Sequence, residues 1–142
     1  MNRFIIALFL LAASTLNAQK KEEGFDVSFR PTKNAPRYYV ITEPKEGRWY
    51  REAWYLPERT LAMNGWYKDE ACKTADGEVT WYHTNKNLRS TGKYVDGWKQ
   101  GGWFSYHQNG MMRDSAVYEA GIRKGIGLSW DKEGFLVDSV NL

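Results

Sequence analysis

Few residues in this chain can do chemistry, and most of them fall at one spacing. His83 and His107 stand 24 residues apart, and Asp131 follows after another 24. Imidazoles at such a period meet only if the chain folds back once per repeat. A zinc ion asks for three or four ligands, with nitrogen at about 2.0–2.1 Å. The column supplies only Asp131 as a third member, so the histidines read as a polar pair beside a turn, and no metal is expected. Asp114 and Asp138 form a second 24-residue pair, in a column with Ser90 and Met63. Two carboxylates can serve as acid and base, but only where burial or a close charge separates their pKa values. Cys72 is the only cysteine, which excludes a disulfide framework. No adjacent His or second Cys activates it, and it reads as a partly buried thiol in an inter-repeat loop. No Ser–His–Asp or Cys–His arrangement can be assigned. The expectation is a protein that is not an enzyme, with no catalytic residue and no cofactor.

The elements that must carry these residues are themselves repeated, and a fixed period in this range points to a repeat architecture. Four cores of 15 residues, 53–67, 80–94, 104–118 and 128–142, lie at offsets of 27, 24 and 24. In the first half of each core, Ala53, Thr80, Phe104 and Leu128 form one column and Tyr55, Tyr82, Tyr106 and Trp130 the next. Residues two apart share a strand face. In the second half come Leu61, Leu88, Met112 and Leu136, then Gly65, Gly92, Ala116 and Val140, then Tyr67, Tyr94, Tyr118 and Leu142. Polar residues such as Arg89, Thr91, Lys93, Arg113 and Ser115 alternate with them, as in a half-buried strand. Asn109-Gly110 divides the third core into two strands, and Asn-Gly is a strong type I′ hairpin signal. Asp96-Gly97 and Glu119-Ala120-Gly121 mark turns between cores. Each core is then one β-hairpin, and successive hairpins join one antiparallel sheet. The strand-start glycines Gly101, Gly102, Gly125 and Gly127 call for a close approach, which rings of the Tyr column would supply.

The first 19 residues read as a secretory signal peptide: a basic start at Arg3, an apolar run from Phe4 to Leu16, and Ala18 at a cleavage position. That run is too short for a bilayer span, which needs roughly 20 residues. Residues 20–46 form a polar leader containing Pro31, Pro36 and Pro44. Only Tyr38–Ile41 resembles a strand there, expected as one edge strand. Residues 47–142 hold the repeats. The net charge of +3 is scattered without a basic stripe, which argues against nucleic acid.

This pattern resembles the MORN repeat family in its bacterial variant form. The resemblance covers Gly47 to Leu142 and rests on Gly65-Trp66-Tyr67-Lys68-Asp69, Gly92-Lys93-Tyr94-Val95-Asp96-Gly97 and the run Gly101 to Gly110. Glu119 to Gly125 belongs to the same pattern. Asp69-Glu70-Ala71 departs from it, standing where Asp-Gly belongs. The resemblance implies an elongated single-layer antiparallel sheet of stacked hairpins. It also implies association with protein or lipid in place of catalysis, and it brings an antitoxin-type label borne by bacterial members.

Trp54, Trp81 and Trp103 fall opposite Tyr55, Tyr82 and Phe104, with Trp66 and Trp98 at second-strand and turn positions. Exposed together they would form an aromatic binding surface. The expectation is an exported scaffold of the periplasm, outer-membrane surface or medium that binds another envelope protein. The alternatives are a glycan-binding module using these tryptophans, or a module that associates with lipid headgroups at a membrane surface. The sequence leaves the oligomeric state open.

Overall fold

A computed structural model describes residues 19–141. The expected signal peptide, Gln19 apart, lies outside the described residues, as does Leu142. Every described element is a strand: β1 (Lys21–Phe25), β2 (Tyr38–Lys45), β3 (Arg48–Tyr55), β4 (Thr60–Tyr67), β5 (Ala75–Tyr82), β6 (Leu88–Val95), β7 (Trp98–Tyr106), β8 (Met112–Glu119), β9 (Ile122–Trp130) and β10 (Leu136–Asn141). They form one open sheet in chain order, each strand antiparallel to the next.

Two kinds of turn alternate along the repeats. Within a hairpin, His83, His107 and Asp131 each start a type I turn, closed by Lys86, Gly110 and Gly134 donating back to their carbonyls. The closing residue is left-handed in all three, at φ 73°, 87° and 91°. Asn109 is not left-handed, so Asn109-Gly110 is not the type I′ turn its sequence suggests. It is the three-residue loop that ends in a left-handed glycine. Type I′ geometry occurs between hairpins, at Glu46-Gly47, Asp96-Gly97 and Ala120-Gly121, where both residues have positive φ.

The register corrects the alignment of the first core. Ala53 pairs with Met63, Met63 with Trp81, and Trp81 with Ser90. Ala53 therefore corresponds to Trp81, an offset of 28 where the sequence alignment gives 27. The cause is the first loop: four residues, 56–59, lie between the paired Tyr55 and Thr60, where three, 84–86, lie between His83 and Asn87, so 53 to 63 spans one residue more than 81 to 90. Tyr55 thereby leaves the column of Tyr82, Tyr106 and Trp130 and joins that of His83 and His107. The second-strand columns stand: Gly65, Gly92 and Ala116 lie on one row of the sheet, and Tyr67, Tyr94 and Tyr118 on the next.

One face of the sheet is packed at its N-terminal end. Phe25, Val40, Ala53, Tyr55, Ala62, Met63 and Val79 form the core, with Phe29, Tyr38, Tyr67, Trp81 and Tyr94 against it. The leader supplies two strands, not one: β2 is internal, and β1 is the edge. Phe29 from the β1–β2 loop lies 5.2 Å from Phe25 and 5.8 Å from Trp81 by ring centroids, folding the leader onto this face. Asp69 turns the inserted β4–β5 connection back on itself, accepting the backbone N–H of Lys73 at 3.0 Å and of Thr74 at 2.8 Å.

Candidate functional site

The residues able to do chemistry are used chiefly to join hairpins. Nε2 of His83 lies 2.9 Å from the Tyr106 carbonyl oxygen, and Nε2 of His107 lies 2.9 Å from that of Trp130. A carbonyl only accepts, so Nε2 carries the proton in both. The Tyr55 hydroxyl makes the same bond to the Tyr82 carbonyl at 2.9 Å. Tyr55, His83 and His107 thus form one ladder, each tying its loop to the strand end of the next unit. The two imidazoles reach forward and not toward each other. Asp131 ends the ladder by accepting the N–H groups of Glu133 and Phe135 in its own turn.

A second ladder runs along the opposite ends of the hairpins. The Asp76 carboxylate accepts the Asp96 N–H at 3.1 Å, and the Gln100 amide oxygen accepts the Ala120 N–H at 3.0 Å, the second pair following the first by 24 residues. The sequence reading did not single out Asp76 or Gln100, although their spacing carried the signal. Among the described residues no group of three or more His, Cys, Asp or Glu is placed to hold a metal ion. Cys72 lies near Arg51 and Thr42, and burial pushes its thiol up from its ordinary value.

The tryptophans divide between the faces. Trp81 and Trp103 lie on the packed face, because Trp81 is in register with Met63 and Trp103 with Ala116. Trp54 and Trp66 lie on the other face, where Trp66 meets Tyr50 at 4.9 Å and the Arg48 guanidinium at 4.5 Å. Trp98, 62 % exposed, leans over Gly121 of the next turn, where an added Cβ would meet its Cε3 at 2.5 Å. The single surface of Trp54, Trp81 and Trp103 is therefore not formed. The one-residue offset of the first unit reverses Trp54 relative to the other two.

Glycine and ring do meet, though the ring is not from the Tyr column. Trp103, 9 % exposed, lies across Gly92, and its Nε1 donates to the Lys93 carbonyl at 3.2 Å. Tyr94 and Tyr118 flank it, with centroids at 4.9 and 6.5 Å. Gly101 and Gly125 have no atom near a would-be Cβ; their positive φ, 72° and 64°, explains them instead.

Beyond Trp103 the packed face opens into a groove of about 370 Å³ over β6 to β9. Asp114 is its polar centre. It accepts the Ser105 hydroxyl at 2.6 Å, the Ser129 hydroxyl at 2.9 Å and Arg113 Nε at 2.7 Å. Burial pushes the Asp114 carboxyl up, but these three donors outweigh it and hold it below the usual range. Asp138 lies two strands away on the same row, opposite Ser129, with no direct Asp114–Asp138 pairing. Comparison with protein-family models, curated proteins and solved structures gave no match.

Proposed function

We propose that this chain is an exported, non-catalytic scaffold of the MORN type that holds another protein of the cell envelope through its C-terminal edge. The observation that carries the reading is the inequality of the two sheet ends. At one end the outer edge of β1 is guarded. Phe25 bridges Pro31, the Thr32 N–H donates to the Gly24 carbonyl, and Pro36 crosses Gly24. Lys21, Glu22 and Glu23 add charge there. At the other end every residue of β10 is exposed, including Leu136, Val137 and Val140 at 57, 61 and 36 %. Among the described residues it has a neighbour on one side only.

Unpaired edges invite another strand unless charge, proline or a covering loop blunts them. β1 has all three; β10 has one charge, Asp138. A partner strand laid along β10 would gain main-chain hydrogen bonds, with alternate side chains read by the exposed apolar positions. The test places a photo-crosslinking residue at Ser139 of β10 or at Glu22 of β1 in the full chain, in intact cells. A single dominant envelope protein captured from Ser139 alone, and lost when Val137 and Val140 become lysine, is the expected result. Equal capture from both edges, capture that survives the lysines, or capture of nothing overturns the reading. A product of twice the chain's mass would make the occupant a second copy and overturn the hetero-partner part.

A further inference from the structure

We propose that the groove over β6–β9 is a binding site for an acidic saccharide, one bearing ring hydroxyls and a carboxylate. The site shares no residue with β10, so it stands apart from the edge reading. Its volume of about 370 Å³ is within the range of small-ligand sites. Three of its lining side chains carry positive charge: Lys99, Arg113 and Arg123. Only Arg113 is neutralised, by Asp114. Among the described residues Lys99 and Arg123 enter no ion pair.

Both unpaired cations are held in place. The Lys99 ammonium sits 4.4 Å from the Trp103 ring centroid and 4.9 Å from that of Tyr118. Arg123 lies flat on Gly127, with Nε 2.5 Å from where a Cβ would stand. That Nε is buried and has no hydrogen-bond partner. The Arg123 guanidinium lines the groove with no carboxylate of the chain beside it, and a ligand carboxylate would pair with that charge while also facing Lys99.

The rest of the lining selects against a bare anion. Asp114 is an acceptor at the groove's centre, so it repels a compact anion but receives ligand hydroxyls. Ser90 lies on the same row, opposite Ser105. Tyr118, with Lys99 over its ring, also lines the groove and can meet the apolar side of a pyranose. A ligand with one apolar face, several hydroxyls and one carboxylate meets every one of these groups.

The experiment titrates the mature chain with a short galacturonic acid oligomer, the neutral galactose oligomer of equal length, and acetate alone, followed calorimetrically and by tryptophan fluorescence. The acidic oligomer is expected to bind, with salt weakening it. Lys99→Met or Arg123→Gln should each weaken it about tenfold, the value of one charge-assisted bond. Lys33→Met, outside the groove, should leave it unchanged. Circular dichroism on each variant establishes that it folds. The proposal is overturned if neither oligomer binds, if the neutral one binds equally, if acetate competes at equal concentration, or if folded Lys99 and Arg123 variants bind as the parent does.

Discussion

Adding one methyl group at Gly92 should cost this protein a large part of its stability. A Cβ there would lie 2.7 Å from Trp103 Cγ, with two further ring atoms closer still. The ring cannot easily retreat. It is boxed by Tyr94, Tyr118 and Lys99, and anchored through Nε1 to the Lys93 carbonyl. Overpacking of this kind costs about 1–3 kcal/mol. Loss of the indole hydrogen bond adds about 1 kcal/mol. Gly92→Ala should therefore destabilise by about 2–4 kcal/mol against a total of about 5–15 kcal/mol. At roughly 4 °C per kcal/mol for a chain of this size, the midpoint falls by about 8–16 °C. Urea unfolding followed by circular dichroism and tryptophan emission measures it. The same substitution in a Trp103→Leu background should cost less than about 1 kcal/mol, because the smaller side chain leaves room for the methyl. A cost below about 0.5 kcal/mol in the parent, or the same cost in both backgrounds, would refute the glycine–ring argument.

Lys86 holds the left-handed position that glycine fills at Gly110 and Gly134. Lys86→Gly should raise stability by about 0.5–1 kcal/mol once glycine's entropy is counted, read from denaturant midpoints. His107→Ala removes the bond to the Trp130 carbonyl and should cost about 1 kcal/mol. Hydrogen exchange should then show β9 and β10 losing protection before β3 to β5. Burial pushes Tyr67 from 10.0 up to about 12, so its folded form prefers the neutral phenol. Stability from this group is complete below pH 10 and is lost as pH rises from 10 to about 12, up to about 3 kcal/mol. Absorbance titration of phenolate formation should show a late step that Tyr67→Phe abolishes.

The period, the hairpins and the second-strand columns are legible in the sequence because Gly65, Gly92 and Tyr67, Tyr94, Tyr118 obey strict spacing through strands without insertions. The faces of the first strands are not legible, because they depend on one extra residue in the 56–59 loop. In a sheet a slip of one exchanges inside for outside, which is why Trp54 and Trp81 part company. The leader's part in the core is hidden for another reason. Phe25, Val27 and Phe29 alternate as in a strand, yet the chain turns at Asp26–Phe29, so Val27 faces out while Phe25 and Phe29 pack inward. The groove was half visible: Ser90 and Asp114, which line it, fall in one column. Lys99 and Arg123 join it only through register, on strands whose turns differ from those of the column residues.

The concentration of core side chains between β1 and β5 also orders events in time. A ribosome releases this chain from its N-terminus, so the segment that carries Phe25, Val40, Met63 and Val79 emerges before β6 exists. Because each strand pairs with its sequence neighbour, nothing in that segment waits for distant chain, and local pairing of this kind closes quickly. Each later hairpin arrives at an edge that is already complete and copies its register, much as a growing crystal face accepts the next layer. Among the described strands β10 is the last to arrive, and it pairs with β9 alone.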